Sequence, residues 1–257
     1  IWGAMSGGYG IHDPIVVGHR GSAYGVENSL EAIQAAIQAG ADYAEVDILL
    51  SADGVPMVIH DANLKRLAGQ DLNVWELTAA ELQALTLTQK GYTAHIPTLQ
   101  EVLDYCEGRI LLAVEYKLHG YEEKDLVREV MGVLEKSAYQ KNSLHLSLDY
   151  DLVAQVREQY PGYLAGSVVY GNVGNLTTQS LVEMNIDFLL VEEWMVSKQL
   201  VQAGRKAWLP VYVWTVNDNR NMREYLETGA AGLVTDYPDD AVAVLNNLYT
   251  LNDRTLP

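Results

Sequence analysis

The stretch AEVDILLSADGVPMVIHD, residues 44–61, contains two apolar runs separated by the short linker SADG. A crossover between parallel strands needs about a dozen residues or more, whereas a few residues are enough to turn an antiparallel hairpin. We therefore predict that strands at 43–49 and 56–60 form an antiparallel hairpin, in which the second strand returns beside the first.

Further apolar runs alternate along the chain with helix-period segments, and this pattern predicts a parallel sheet covered by helices. The predicted strands outside the hairpin lie at 15–19, 110–116, 143–148, 165–170, 187–192, 210–216 and 232–235. Together with the hairpin this makes nine strands, and setting aside the return strand leaves eight parallel ones. Eight βα units in a chain of 257 residues predict an α/β fold, a (β/α)₈ TIM barrel.

The domain organisation follows from the same count. We predict one barrel domain over residues 15–250, with a β-hairpin and a small insertion at about 61–109 after the second strand. Residues 1–14 are Gly-rich and irregular, and we interpret them as a linker that leads into the barrel.

Composition excludes some functions and leaves others open. The net charge of −17 argues against nucleic acid as a partner, because phosphate backbones require a basic surface. The chain has no apolar run of the roughly 18 residues that a membrane-spanning helix needs. It begins with Ile rather than Met, so one expectation is a membrane tether in a missing N-terminal region, and the alternative is a cytoplasmic protein. The sequence makes no prediction of oligomeric state.

Polar residues follow several of the predicted strands, where active sites of such barrels are found. Glu45 and Asp47 are two residues apart on one strand and should point the same way, as should Glu115 and Lys117 on another. If the hairpin turn is tight, Glu45 lies roughly opposite His60. One barrel mouth is then expected to hold His19, Arg20, Glu45, Asp47, His60, Glu115 and Lys117.

This combination of side chains predicts metal-assisted hydrolysis of a phosphate ester. Three inward-facing carboxylates repel one another unless a cation neutralises them, and oxygen-only ligands favour Mg²⁺ or Ca²⁺ over zinc. Arg20 and Lys117 beside such an ion describe an anion site. Two histidines can divide the roles of general acid and general base near neutral pH.

Other interpretations remain open for the same residues. Glu45 and Asp47 could be a solvated pair, His19 a hydrogen-bonded core histidine, and Glu115–Lys117 an ion pair lining the barrel. Trp214 could pack in the core or form the wall of a substrate pocket. A glycoside hydrolase that uses Glu45 and Glu115 as its carboxylate pair is a further alternative.

Several motifs together resemble the glycerophosphodiester phosphodiesterase family. They are HRG (19–21) with EN (27–28), GADYAEVDI (40–48), DGVPMVIHD (53–61), IPTLQEVL (96–103), VEYK (114–117), SLD (147–149), WTVN (214–217) and GLVTDYP (232–238). The resemblance runs in order from about residue 15 to residue 248. The chain departs from the family in the LAG that follows HDANLKR (60–66) and in Leu148, where the family has an aromatic residue.

The resemblance implies a TIM-barrel enzyme that hydrolyses glycerophosphodiesters to sn-glycerol 3-phosphate and an alcohol with one divalent cation. It implies His19 and His60 as the catalytic pair, Glu45, Asp47 and Glu115 as metal ligands, Arg20 and Lys117 as phosphate contacts and Trp214 as an aromatic wall. The alternatives are phospholipase D-like hydrolysis of lysophospholipids with the same residues, and non-catalytic glycerophosphate binding. The chain looks most like members whose catalytic domain follows a membrane-embedded N-terminal region.

Overall fold

The fold was obtained as a computed structural model that describes residues 14–137, 142–171 and 176–252. The predicted linker at 1–14 lies outside the described residues except for Pro14. The strands are β1 (Ile15–Gly18), β2 (Tyr43–Leu50), β3 (Pro56–Val58), β4 (Leu87–Gln89), β5 (Tyr92–Ala94), β6 (Leu111–Tyr116), β7 (Leu144–Ser147), β8 (Leu164–Val169), β9 (Phe188–Glu192), β10 (Val211–Trp214) and β11 (Gly232–Thr235).

Helices alternate with these strands along the chain. They are α1 (Leu30–Ala39), α2 (Lys65–Ala68), α3 (Ala79–Gln83), α4 (Leu99–Cys106), α5 (Leu126–Leu134), α6 (Tyr150–Gln159), α7 (Thr178–Glu183), α8 (Lys198–Lys206), α9 (Asn219–Thr228) and α10 (Pro238–Asn252). Each predicted strand and each predicted helix between strands is present, with ends that differ by a few residues.

Eight parallel strands close into a barrel in the order β1-β2-β6-β7-β8-β9-β10-β11, and β11 pairs with β1 to complete it. The prediction of a (β/α)₈ TIM barrel is confirmed. Parallel strands that are covered on both faces read as nearly continuous apolar runs, and β2 is buried along its whole length. Carboxylates on such a strand are therefore enclosed by the barrel.

The barrel has separate inner and outer apolar layers. Val17, Leu146, Phe188 and Tyr212 belong to the cluster that fills the interior. The Phe188 ring leaves no space for a side chain at Gly166, because a Cβ there would lie 2.3 Å from ring atom Cδ2. The outer layer is a larger cluster formed by alternate strand residues and the surrounding helices. Because successive side chains of a strand point to opposite faces of the sheet, every second residue points toward the barrel axis.

The hairpin is antiparallel as predicted, with Ile48 opposite Val58 and Leu50 opposite Pro56. Extending this register places Val46 opposite His60, so the expectation for Glu45 is off by one residue. The turn between Leu50 and Pro56 runs from 51 to 55 and is one residue longer than SADG. His60 nevertheless follows the end of β3 beside the barrel mouth.

The segment after the hairpin carries a second, smaller core. Leu82, Leu87 and Ile96 pack there against Leu49 and Met57 of the hairpin. The last helix before β6, α4, packs into the outer layer of the barrel itself. The part of 61–109 that stands apart from the barrel therefore ends before α4 begins.

Capping-box spacings in the sequence predict three helix starts, at Asn28, Thr78 and Thr98, and two are confirmed. Thr78 with Glu81 and Thr98 with Glu101 both form capping boxes. The third was wrong by one residue, since the N-cap of α1 is Ser29 rather than Asn28. Asn28 instead forms hydrogen bonds with Asp47.

Within the residues that the structure describes, no helix combines the length and the apolar composition that crossing a bilayer requires.

Candidate active site

Three carboxylates lie together where β2 and β6 approach the barrel mouth. Register pairs Asp47 with Glu115 across the two strands, and Glu45 points the same way as Asp47 from two residues earlier. One carboxylate oxygen from each of Glu45, Asp47 and Glu115 lies within 4.8 Å of the other two. The predicted acidic cluster is therefore present as a group.

Burial and mutual repulsion make this cluster electrostatically unfavourable on its own. Burial, together with Asp47 and Glu115, raises the pKa of Glu45 well above its usual value. Burial and Asp47 also raise the pKa of Glu115, against the opposing effects of Lys117 and His19. Burial alone would raise the pKa of Asp47, but Lys117 and Arg20 outweigh it and lower that pKa.

Two cations contact the carboxylates directly. Lys117 Nζ lies 2.8 Å from Glu115 Oε1 and 3.4 Å from Asp47 Oδ1. Arg20 Nε lies 3.3 Å from Asp47 Oδ2, and its backbone N–H donates to Glu45 Oε2 at 2.8 Å. Burial lowers the pKa of Lys117, but Asp47 and Glu115 outweigh it and raise that pKa, so the amine stays charged. Positive charge is thus held at the cluster.

The three carboxylates fit a divalent cation. Among the described residues, the buried Oε1 of Glu45 has no hydrogen-bond donor, and an oxygen without a donor is a ready ligand for a cation. With all groups ionised, the carboxylates outnumber Arg20 and Lys117 by one charge. A divalent ion would reverse that balance to one positive charge, which suits a phosphodiester monoanion.

His19 follows β1 at the mouth and is held by a residue that sequence reasoning missed. Its Nδ1 lies 2.7 Å from Oδ1 of Asp236, which follows β11. Asn217 donates from Nδ2 to the other oxygen of Asp236 at 2.7 Å. Burial opposes ionisation of Asp236, but the hydrogen bond and charge of His19 lower its pKa. The sequence signal was available, because Asp236 is another polar residue at a strand end.

His60 is held in the same manner by its neighbour. Its Nδ1 lies 2.7 Å from Oδ1 of Asp61, the next residue in the chain. Burial lowers the pKa of His60, Asp47 partly offsets this, and the charges of Arg20 and Lys117 lower it further. The imidazole is therefore favoured in its neutral form.

Arg66 from α2 links His60 to the turn after β1, and no sequence pattern singled it out. Its Nε donates to Asp61 Oδ2 at 2.6 Å, while its two terminal nitrogens bind Glu27 at 2.8 and 2.5 Å. Glu27 also accepts a hydrogen bond from Arg20 at 2.9 Å. Glu27, His60 and Asp61 form a second group with ligand atoms close together, but Arg66 already supplies the cation there.

Asn28 orients the central carboxylate of the cluster. Its Nδ2 donates to Asp47 Oδ2 at 2.8 Å, and its Oδ1 accepts from the Asp47 backbone N–H at 3.0 Å. Arg20 and Asn28 both have left-handed backbone conformations, with φ of 50° and 63°. Such conformations cost energy in non-glycine residues and tend to occur at functional sites.

Trp214 ends β10 and is partly buried with the interior cluster. Its ring centroid lies 6.3 Å from that of Tyr170, which follows β8. The buried Nε1 of Trp214 has no acceptor among the residues that the structure describes. Trp214 therefore packs against the barrel interior and lies at the end of its strand with an indole N–H that no described residue accepts.

An open cavity of about 600 Å³ lies beside His60. Asp61, Asn63, Lys65 and Arg66 line it together with His60, so the start of the insertion forms its wall.

Comparisons with known proteins agree with this architecture. The model of the family described as glycerophosphoryl diester phosphodiesterase matches residues 19–240. A crystal structure of a glycerophosphodiester phosphodiesterase from Thermotoga maritima is 31% identical, covers 91% of this chain and 100% of its own, and superposes with a TM-score of 0.73. An Oleispira antarctica phosphodiesterase in complex with the product sn-glycerol-3-phosphate is 25% identical, covers 91% and 97%, and has a TM-score of 0.82. The lysophospholipase D GDPD1 of Rattus norvegicus is 26% identical over 90% of this chain and 86% of its own.

Proposed function

The chain belongs to the glycerophosphoryl diester phosphodiesterase family, and we propose that it hydrolyses glycerophosphodiesters to sn-glycerol 3-phosphate and an alcohol by acid–base catalysis between His19 and His60. It is an enzyme of the phosphodiesterase class, so the glycoside hydrolase and the non-catalytic binding protein are set aside. The observation that carries the proposal is the pair of histidines, each bound at Nδ1 by a carboxylate, beside the acidic cluster.

The carboxylates at Nδ1 fix which nitrogen of each histidine serves the substrate. A carboxylate can only accept a hydrogen bond, so it holds the proton on Nδ1 and leaves Nε2 for the reacting oxygen. In this arrangement His60 removes a proton from the nucleophile, which is water or the glycerol 2-hydroxyl. His19 then gives a proton to the departing alkoxide.

The surroundings of the two histidines support this division. Arg66 binds the second oxygen of Asp61, so part of the carboxylate charge facing His60 is already neutralised. Asp236 is bound at its second oxygen by the uncharged Asn217 rather than by a cation. A neutral imidazole suits a base, and an imidazolium stabilised by a carboxylate suits an acid.

Charge on the phosphate is offset by the cationic groups of the cluster. Glu45, Asp47 and Glu115 would hold a divalent ion, Mg²⁺ or Ca²⁺, which would act as a Lewis acid on the phosphoryl group. Arg20 can bind phosphate oxygens through its planar fork, and Lys117 contributes a point charge. Trp214 forms an aromatic wall beside the glycerol moiety.

The insertion is proposed to select the alcohol. The cavity beside His60 is lined by residues at the start of the 61–109 segment, where a leaving group of variable size can be accommodated. Substitutions at Asn63 should then change the ranking of alcohols more than they change metal affinity.

The test is release of sn-glycerol 3-phosphate from glycerophosphocholine, glycerophosphoethanolamine and glycerophosphoglycerol, each with and without a chelator. We expect product from at least one diester, loss of turnover on chelation, and recovery with Mg²⁺ or Ca²⁺. If none of the three diesters releases sn-glycerol 3-phosphate, the proposed activity is refuted. Undiminished turnover in excess chelator, with metal-free protein, would refute the metal requirement.

Hydrolysis of lysophospholipids is the second candidate. It is favoured by the similarity to a relative named lysophospholipase D over most of both chains. Both reactions break the same kind of phosphodiester bond with the same residues. Preference for one substrate over the other would therefore depend on residues around the entrance of the site.

A further inference from the structure

Large apolar side chains are exposed after four successive strands of the barrel. Leu118 follows β6, Leu148 follows β7, Tyr170 follows β8 and Trp194 follows β9, each within two residues of the strand end. Their exposed fractions are 48%, 53%, 66% and 79%. We refer to these four residues as the apolar rim.

The apolar rim lies at the active-site end of the barrel. Strands β6 to β9 are adjacent in the sheet, so the four residues follow an arc of roughly 15 Å at the usual strand spacing. The arc continues into the site, because the ring of Tyr170 contacts that of Trp214. Exposed apolar surface next to a catalytic mouth indicates a binding surface.

The position of the apolar rim restricts what can cover it. A folded protein bound over the mouth would obstruct the path of the substrate. A lipid surface is fluid, can accept Trp and Tyr rings at its headgroup level, and can itself contain the substrate.

The charge of the protein restricts the kind of lipid. The chain carries a net charge of −17, so an anionic membrane would repel it. Carboxylates stand directly beside the rim, with Asp149 next to Leu148 and with Glu192 and Glu193 before Trp194. A phosphocholine surface presents trimethylammonium groups outermost, and these are attracted both by carboxylates and by aromatic faces.

We propose that the apolar rim docks the barrel mouth onto phosphocholine lipid surfaces, so that diesters held in such a surface reach the site directly. The expected effect of docking on turnover rests on the proposed function. The docking itself can be measured without any reaction. In this arrangement the apolar rim contacts the lipid surface that holds the substrate, and the residues beneath the rim carry out the hydrolysis.

The experiment compares Trp194→Ser, and the double variant Trp194→Ser/Leu118→Ser, with Trp208→Ser. Trp208 has a similar exposed fraction, 66%, but precedes β10 at the opposite end of the barrel and is the matched control. Three readouts are taken: co-sedimentation with phosphatidylcholine vesicles with and without phosphatidylglycerol, turnover of micellar lysophosphatidylcholine, and turnover of soluble glycerophosphocholine.

We expect each rim variant to lose about tenfold or more in vesicle binding and in micellar turnover, because a large apolar side chain no longer enters the lipid. Soluble turnover should stay within about twofold, and the control should match the parent protein throughout. Unchanged vesicle binding in the rim variants overturns the proposal, as does binding that strengthens with phosphatidylglycerol. Equal losses on soluble and micellar substrates also overturn it. Absence of any turnover together with rim-dependent vesicle binding would refute the proposed function and leave the docking established.

Discussion

His19 Nδ1 lies 2.7 Å from Asp236 Oδ1, although the two residues are 217 positions apart in the chain. The first and last strands of the barrel each contribute one partner to this pair, since His19 follows β1 and Asp236 follows β11. The orientation of one proposed catalytic histidine therefore depends on the closure of the barrel.

Asp236→Asn should lower kcat on glycerophosphocholine by about 10²-fold or more with little change in KM. An amide can donate as well as accept, so it no longer fixes the proton on Nδ1 or stabilises the charged ring. Steady-state kinetics and ¹⁵N NMR of the imidazole measure the two effects. Asp239→Asn is the matched control, because Asp239 lies in the first turn of α10 and accepts from the exposed Tyr24 hydroxyl. An unaltered kcat in Asp236→Asn would remove the positioning role.

The two histidines should respond differently to the leaving group. An alkoxide of high pKa needs a proton as it departs, whereas an aryl oxide hardly does. His19→Ala should thus lose about 10²–10⁴-fold on natural diesters and much less on an aryl ester, while His60→Ala loses activity on both. Parallel kcat/KM measurements on the two substrates decide this. The opposite pattern would exchange the roles of acid and base.

Arg66→Met should lower kcat by about tenfold or more while leaving metal affinity intact. The guanidinium joins Asp61 to Glu27, and without it the carboxylate that holds His60 loses its own support. Arg66→Lys should recover only part of the activity, because an ammonium cannot bind both carboxylates through a planar fork. Arg128→Met removes an exposed ion pair on α5 and is the control. Full activity in Arg66→Met would show that Asp61 can hold His60 without the hydrogen bond from Arg66.

Glu45→Gln should abolish metal binding but leave the metal-free protein as stable as the parent or more stable by about 1 kcal/mol. The substitution removes a buried charge beside Asp47 and Glu115, while its amide oxygen can still accept from the Arg20 backbone. Thermal unfolding with and without metal tests this. The parent should gain about 2.7 kcal/mol at a metal concentration of 100 Kd, and the variant should gain nothing. Strong destabilisation of the metal-free variant would contradict the repulsion inferred here.

His145 should make the fold sensitive to mild acid. Burial lowers its pKa to about 3, and its two ring nitrogens are satisfied by Tyr116 at 2.7 Å and Ser143 at 3.0 Å. An unfolded histidine has a pKa of about 6.5, so between these values the unfolded chain binds one more proton than the folded chain. The stabilising contribution is complete above about pH 6.5 and is lost as the pH falls toward 3.

The measurement is the free energy of unfolding between pH 7 and pH 4. The decrease per pH unit should be smaller in His145→Gln than in the parent by up to about 1.4 kcal/mol, because one titrating group is gone. His95→Gln replaces an exposed histidine and serves as the substitution control. Identical slopes in His145→Gln and the parent would show that His145 does not titrate differently on unfolding.

The features that sequence predicted well are those with short-range causes. The linker of 51–54 requires a hairpin, and the capping boxes at Thr78 and Thr98 involve residues three apart. The alternation along β2 places Glu45 and Asp47 on one face whatever the rest of the chain does. The acidic cluster could therefore be predicted from two strands.

The features that sequence missed depend on distant segments or on a choice between two neighbouring capping residues. The partner of His19 comes from the last strand, and Arg66 reaches Glu27 across 39 residues. Asn28 and Ser29 are both good capping residues, and burial of the Asp47 carboxylate decides that Asn28 binds it. None of these results follows from local preference, because each depends on contacts between segments that are separated in the chain.

The closure of β1 against β11 also orders events during synthesis of the protein. At about 5–20 residues per second, a ribosome needs roughly 10–40 s to proceed from His19 to Asp236. Once Glu115 has been added, the nascent chain contains His60 and every residue of the acidic cluster but still lacks the group that orients His19. With the role proposed for Asp236, an unfinished chain has little of the proposed activity, and full activity requires that the last strand has joined the first.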